Sequence, residues 1–144
     1  MHIGHGHPSK EDILNQEARI FLLAGSLAAL AGVACGAFGA HALRDHLAPE
    51  LLAAWNTGVA YHFYHAFGLL AVGLASGLLG RSLLLNWAGA LMIAGLLLFS
   101  GSLYVLALSG IRALGIMTPF GGLAWIAAWA LFATAVWRSR PSSA

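Results

Sequence analysis

The sequence has little charge and almost no cysteine, and each shortage excludes a class of protein. Only 8% of its 144 residues are charged and 60% are hydrophobic, whereas soluble domains carry about a quarter charged residues. A water-soluble globular domain is therefore excluded. Cys35 is the only cysteine, so neither an internal disulfide nor a cysteine-built metal site can form. The seven basic residues are scattered singly, which excludes the basic patch of a nucleic-acid-binding protein.

The charge-free stretches are long enough to cross a bilayer, which takes about 20 apolar residues per helix. They predict an all-α membrane protein with four transmembrane helices in an up-down bundle and a short amphipathic N-terminal extension. The predicted spans cover residues 20–41, 58–79, 83–108 and 119–137, between a polar N-terminal tail (1–19) and a C-terminal tail (138–144). We interpret the histidines of the first tail (His2, His5, His7) as part of a solvated segment rather than a metal-binding tract.

Basic residues are distributed unequally between the two sides of this predicted bundle. The up-down arrangement places five of them on one side (Lys10, Arg19, Arg81, Arg138, Arg140) and two on the other (Arg44, Arg112). Because lysine and arginine are enriched in cytoplasmic segments, both termini are predicted to be cytoplasmic. The chain is then a multi-pass protein of the bacterial inner membrane, with the loop around residues 41–56 facing outward.

Small residues recur at helical spacing along the first two predicted spans. Gly32, Gly36 and Gly39 follow one another in the first, and Gly73 and Gly77 repeat the spacing in the second. Such faces let helix backbones approach closely in a membrane. We interpret them as packing surfaces within one bundle; the alternative is a seam between two copies of the chain.

Four of the seven histidines lie between residues 41 and 65, where the polar side chains of the chain's centre gather. His62 and His65 are three residues apart and share a helix face. We expect them to converge with the end of the first span at the outer membrane boundary. The candidate polar cluster consists of His41, Asp45, His46, Trp55, Thr57, Tyr61, His62 and His65.

Two interpretations of this cluster differ in chemistry. Imidazoles in a membrane can hydrogen-bond neighbouring helices and brace the bundle, which is the interpretation we favour. Alternatively, His41, His62 and His65 could hold zinc, copper, iron or a haem. No HExxH motif, nucleophile with an adjacent base, or phosphate-binding glycine loop is present in the sequence. We therefore expect no catalytic residues and no cofactor.

Four motifs resemble a known family when taken in order. They are Gly36-Ala-Phe-Gly-Ala-His41-x-Leu43, Trp55-x-Thr57-Gly-Val-x-Tyr61-x-x-Tyr64-His65-Ala66, Gly101-Ser-Leu-Tyr104 and Leu114-Gly-Ile-x-Thr118-Pro-x-Gly-Gly122. Over roughly residues 20–137 the chain resembles the domain-of-unknown-function-423 family, small bacterial inner-membrane proteins (YgdD-like) related to the eukaryotic transmembrane protein 256. The resemblance implies a four-helix membrane protein with no established activity. It also implies glutamine at the position of His62, which weakens a three-histidine metal site as a general function.

Three functional classes remain open. Small size, smooth glycine faces and the lack of a catalytic motif favour an accessory or assembly subunit that packs against a larger membrane complex. Its partners would be membrane lipid and other membrane-protein subunits, or a second copy of itself. The alternatives are a metal- or haem-binding redox protein using the His41, His62 and His65 cluster, and a small oligomeric transporter. Charged residues within the spans, which ion coupling usually needs, are lacking.

Overall fold

The computed structural model of the protein describes residues 10–139, with side chains from residue 16 onward. Within this range the chain is helical and contains no strand. Its α-helices are α1 (Lys10–Phe38), α2 (Pro49–Leu79), α3 (Leu83–Gly95), α4 (Ser102–Ser109) and α5 (Thr118–Arg138). Two π-helical segments extend α1 (Gly39–Leu43) and join α3 to α4 (Leu96–Gly101), and a 3₁₀ segment (Arg112–Met117) leads into α5.

These elements form four helices that are long and apolar enough to cross a membrane, which confirms the predicted all-α four-helix membrane fold. The four spans are Gln16–Leu43, Pro49–Leu79, Leu83–Ser109 and Arg112–Arg138. The second span begins nine residues before the predicted position 58 (58 − 49 = 9), because Pro49 occupies the first helical turn and no breaker follows it. The histidines of the predicted N-terminal tail and residues 140–144 of the C-terminal tail lie outside the described residues.

The connections between the spans are short, and two of them begin with a glycine that the backbone requires. Gly80 closes α2 with a φ of 80° and Gly110 closes α4 with a φ of 73°. These positive φ angles are adopted readily by glycine alone, and they stop the helices. The fourth span starts with Pro119 in the first turn of α5, where proline's missing N–H costs nothing.

The second span is the centre of the bundle. It packs along the first span and contacts both the third and the fourth, while the third and fourth pack along each other. The main core lies where these helices meet and includes Leu69, Val72, Leu85, Met92 and Ala128, none more than 1% exposed. A smaller apolar cluster of Leu43, Trp55 and Ala107 closes the other end of the bundle.

Arginines lie at both ends of the bundle, and an ion pair between spans lies at one of them. At the end where the first span begins, the Arg81 Nε donates to the Glu17 carboxylate at 3.0 Å. This ion pair joins the first span to the connection between the second and third. Arg138, at the end of α5, lies beside the same connection, with Leu79 and Ser82. Arg44 and Arg112 lie in the connections at the opposite end.

Candidate functional site

His62 joins three of the four spans through its ring nitrogens. Its Nε2 lies 2.8 Å from the carbonyl oxygen of Ala28 in the first span, and its Nδ1 lies 3.1 Å from the hydroxyl of Tyr104 in the third. A carbonyl oxygen only accepts, so Nε2 carries a proton. Because an unpaired charged imidazolium would be costly in this buried position, Nδ1 is unprotonated and accepts from the tyrosine hydroxyl. The ring is neutral in this arrangement, buried, and used at both nitrogens.

His65 joins the second span to the fourth. Its Nδ1 donates to the carbonyl oxygen of Tyr61, one turn earlier, at 2.8 Å, and its Nε2 accepts from Trp129 Nε1–H at 3.3 Å. The ring also stacks on Trp125, with centroids 3.5 Å apart and an interplanar angle of 2°. Like His62, it is a neutral ring whose two nitrogens both have partners within the chain.

Both histidines lie near the middle of the second helix. They are the fourteenth and seventeenth residues of the 31-residue α2, so they are not level with His41 at the end of the first span. His41 is 13 residues after Ala28 (41 − 28 = 13) on the first span, which places it roughly 20 Å along the helix from the His62 contact.

The remaining members of the predicted polar cluster separate into two groups. His41, Asp45 and His46 are exposed at the end of the first span and in the following connection. Trp55 is buried at the same end and donates its Nε1–H to the Cys35 carbonyl oxygen at 3.0 Å. Thr57 donates to the carbonyl of Ala53 in its own helix. Among the described side chains, no group of three His, Cys, Asp or Glu is placed to hold a metal ion.

A cavity beside His65, which we name the aromatic groove, opens on the surface of the bundle. Its volume is about 550 Å³ and its lining is mostly apolar. The residues that line it are Tyr61, His65, Phe99, Gly122, Trp125, Ile126 and Trp129. A groove of this size falls within the usual range of ligand and contact pockets, roughly 300–1,000 Å³.

The π-helical segment Leu96–Gly101 shapes the aromatic groove. It places Phe99 against Trp125, with ring centroids 4.8 Å apart, and brings the same phenylalanine within 4.8 Å of Tyr61. Ser100, fully buried in this segment, donates to the Gly58 carbonyl oxygen at 2.8 Å. Such segments inside α-helices redirect side chains and recur at functional sites.

Three aromatic residues of the groove, Phe99, Trp125 and Trp129, were not among the residues predicted for the site. Trp125 and Trp129 are four residues apart, so helical spacing alone places them on one face. That spacing was a usable signal. Nothing in the sequence, by contrast, shows that this face meets His65 on the second span.

The predicted glycines of the first span line its contact with the second, and we name this contact the glycine seam. A Cβ atom placed on Gly32 lies 3.2 Å from the Phe63 ring, and one on Gly39 lies 2.6 Å from Trp55 Nε1. Along the same seam, Gly36 faces Val59. These glycines therefore meet another helix of the same chain.

The glycines of the second span extend the seam to its other end. A Cβ atom on Gly73 lies 2.9 Å from the backbone nitrogen of Leu22, so the two backbones touch there. Gly77 is looser, with Ala18 Cβ at 3.8 Å as its nearest neighbour.

Comparison with known proteins identifies the relatives of the chain. A UPF0382 membrane protein of Staphylococcus saprophyticus subsp. saprophyticus is 44% identical over 111 residues, which cover 77% of this chain and 91% of that protein. The UPF0382 membrane protein YwdK of Bacillus subtilis (strain 168) is 44% identical over 117 residues, 81% of this chain and 95% of its own. No solved structure matches. The profile described as "Protein of unknown function (DUF423)" matches residues 35–122, and the chain therefore belongs to the DUF423 family of membrane proteins, as its motifs indicated.

Proposed function

We propose that the protein is an accessory or assembly subunit that packs against a larger membrane complex, and that the aromatic groove is its docking surface. The observation that carries the proposal is this groove of about 550 Å³, which opens to the outside of the bundle and is lined by residues of helices that are long and apolar enough to cross a membrane. Its occupant would be an apolar face of a partner's transmembrane helix.

The use of the two buried histidines supports a structural rather than a chemical role for them. Each ring nitrogen of His62 and His65 already has a partner within the chain. Binding a metal through either ring would break one of these bonds in a region where no water replaces it. We therefore assign both histidines to bracing the bundle, and the hydrogen bond from Trp129 to shaping the groove.

The lining of the groove supports a protein partner. Tryptophan and tyrosine carry much of the contact energy in protein interfaces, because they combine a large rigid surface with a polar atom. Here Tyr61 stacks parallel to Trp125 with centroids 5.9 Å apart, and Trp129 is 40% exposed. A partner helix that lays aliphatic side chains against the exposed rings of Tyr61 and Trp129 would bury both of them.

Site-specific crosslinking tests the docking surface. A photoreactive amino acid at Ile126, which lines the groove, is compared with the same amino acid at Leu97, which does not; both side chains are 69% exposed. In native membranes we expect a discrete adduct from position 126 and none from position 97. An adduct at twice the chain's 15.0 kDa would instead identify self-association, which overturns the accessory role.

A filling substitution separates specific docking from chance contact. Gly122 lines the groove, and a Cβ atom added to it would have no atom of another element within 4 Å, so the side chain of Gly122→Leu has room to begin and extends into the groove. We expect this variant to lose the adduct from position 126. Gly77→Leu, which adds the same bulk on the other side of the second span, should keep it. An adduct that survives Gly122→Leu would contradict the proposal.

We further propose that the chain lies in the bacterial inner membrane with both termini in the cytoplasm. The support is the distribution of basic residues: Lys10, Arg19, Arg81 and Arg138 lie at one end of the described bundle, and Arg44 and Arg112 at the other. In a Cys35→Ser background, a cysteine at His46 should react with a membrane-impermeant maleimide in intact cells, and one at Arg81 should not. The reverse pattern would overturn this orientation.

A further inference from the structure

A second groove lies between the first and second spans, at the end of the bundle that carries the Arg81–Glu17 ion pair. We name it the Arg19 groove. Its volume is about 400 Å³, and it shares no residue with the aromatic groove. The residues that line it are Ala18, Arg19, Leu22, Gly73, Leu74, Gly77 and Leu78.

Two glycines of the second span contribute to the lining of the Arg19 groove. Gly73 holds the backbones of the two spans in contact, and a Cβ atom on Gly77, one turn further on, would lie 3.8 Å from Ala18 Cβ. The walls beside them are apolar and face outward, with Leu74 58% and Leu78 84% exposed. In a membrane, the hydrocarbon chains of lipids would fill this groove.

The positively charged side chain of Arg19 forms part of the lining of this groove. Arg19 is exposed and is the last charged residue before the charge-free stretch of the first span. The nearby Glu17 carboxylate is bound by Arg81 at 3.0 Å, and no described carboxylate lies within 4.0 Å of the Arg19 side chain. A guanidinium group can donate two parallel hydrogen bonds to two oxygen atoms of one phosphate group.

We infer that the Arg19 groove binds one anionic phospholipid, with its phosphate at Arg19 and the first part of one acyl chain between Leu22 and Leu74. An anionic lipid is favoured over a zwitterionic one because the nearby Glu17 carboxylate is already bound by Arg81, and so is not free to pair with a choline or ethanolamine group. An acyl chain is also favoured over a partner helix. The lining of this groove has no aromatic side chain of the kind that anchors protein contacts, and its exposed walls are the aliphatic side chains of Leu74 and Leu78.

Native mass spectrometry of the full chain in detergent tests the inference. Phosphatidylglycerol and phosphatidylcholine with identical acyl chains are added at equal concentration, and the fraction of protein carrying one lipid is measured. We expect the anionic lipid to be preferred about fivefold, the effect of one arginine near a membrane surface. Equal binding of the two lipids would overturn the inference.

Two pairs of variants assign the binding to this groove. Arg19→Gln should reduce the preference for phosphatidylglycerol to near one, whereas Arg138→Gln, which removes an exposed arginine at the same end but outside the groove, should leave it. Gly77→Leu fills the groove and should abolish retention of either lipid, whereas Gly122→Leu fills the aromatic groove and should not.

The outcomes are distinguishable from one another. If Arg138→Gln lowers the preference as much as Arg19→Gln, the attraction belongs to the whole end of the bundle and the inference fails. It also fails if Gly77→Leu keeps its lipid. Since Arg19→Gln changes only an exposed side chain, it tests headgroup binding even if Gly77→Leu does not fold. None of these results bears on the docking proposal, which rests on a different groove.

Discussion

The glycine seam and the aromatic groove show two ways in which one helix meets its neighbours in a membrane. Along the seam, glycine removes the side chain between the first two spans until the backbones touch, as at Gly73 and Leu22. In the aromatic groove, large rings separate the second span from the fourth and leave about 550 Å³ between them. Where backbones touch, no room is left for a partner helix, whereas ring packing creates an open surface.

The two histidines of α2 belong to these two regions. His62 lies on the seam side, buried, and bonds to the first and third spans. His65 lies on the groove side and bonds to Trp129, which is partly exposed. His62 and His65 are therefore only three residues apart, yet His62 holds the bundle together and His65 shapes its surface. We expect substitutions in the two regions to differ in their effect on the free energy of unfolding.

The largest expected effect is the difference in stability between two glycine-to-alanine variants, one in each region. In Gly73→Ala the new Cβ lies 2.9 Å from a backbone nitrogen that cannot move alone, so we expect a loss of about 1–3 kcal/mol in the free energy of unfolding. In Gly122→Ala the methyl group meets nothing within 4 Å. There the higher helix propensity of alanine should stabilise the protein, by up to about 1 kcal/mol.

Reversible unfolding in mixed micelles, followed by circular dichroism, measures both variants. The pair carries the same chemical change in the same secondary structure, so each serves as the control of the other. If Gly73→Ala proves as stable as Gly122→Ala, the backbones of the first two spans are not in contact, and the distinction between the two regions disappears.

The second prediction concerns the hydrogen bonds of His62. His62→Leu removes the hydrogen bonds from this ring to the Tyr104 hydroxyl and the Ala28 carbonyl, and we expect a cost of about 1–2 kcal/mol in unfolding free energy. His62→Gln should recover most of it, because an amide can donate to the carbonyl and accept from the hydroxyl. Unfolding of the three proteins is compared under one set of conditions.

The glutamine variant also separates bracing from metal binding. Glutamine replaces both hydrogen bonds but is a poor ligand for the transition metals that imidazole favours. Full stability in His62→Gln agrees with the bracing role. A metal found in the wild-type protein by elemental analysis and lost in His62→Gln would instead support the redox alternative.

The fold followed from the sequence because each of its determinants is local. Charge-free stretches of sufficient length define the spans, and Pro49, Gly80, Gly110 and Pro119 mark where helices begin and end. The glycines of the seam were also recognised, since their spacing is visible in a single helix. These features need no knowledge of how one helix lies against another.

The candidate site was harder to predict because it depends on the register between helices. The sequence places His41 at the end of the first span and His62 within the second, but does not show which residues lie side by side. In the structure Ala28, not His41, is level with His62. The aromatic groove likewise depends on the fourth span meeting the second at His65, and on a π-helical segment that no residue pattern announces.

The smallest predicted effect is that of Trp129→Phe in the aromatic groove. Phenylalanine keeps an aromatic ring but loses the N–H that donates to His65 Nε2 at 3.3 Å. One hydrogen bond in a membrane protein contributes on average about 0.6 kcal/mol, so the loss in unfolding free energy should be near this value and below that of His62→Leu. Trp137→Phe, at an 89% exposed position, serves as the control and should have no measurable effect.

The relative size of the two losses decides whether the regions differ as described. His65 keeps its bond to the Tyr61 carbonyl and its stacking on Trp125 when Trp129 is replaced, so most of its interactions remain. His62 meets the Tyr104 ring only at a tilt of 37°, and its replacement removes both of its hydrogen bonds at once. If Trp129→Phe destabilises the protein as much as His62→Leu, then the wall of the aromatic groove contributes as much to the stability of the bundle as the glycine seam. A partner could then not displace this wall without unfolding the protein.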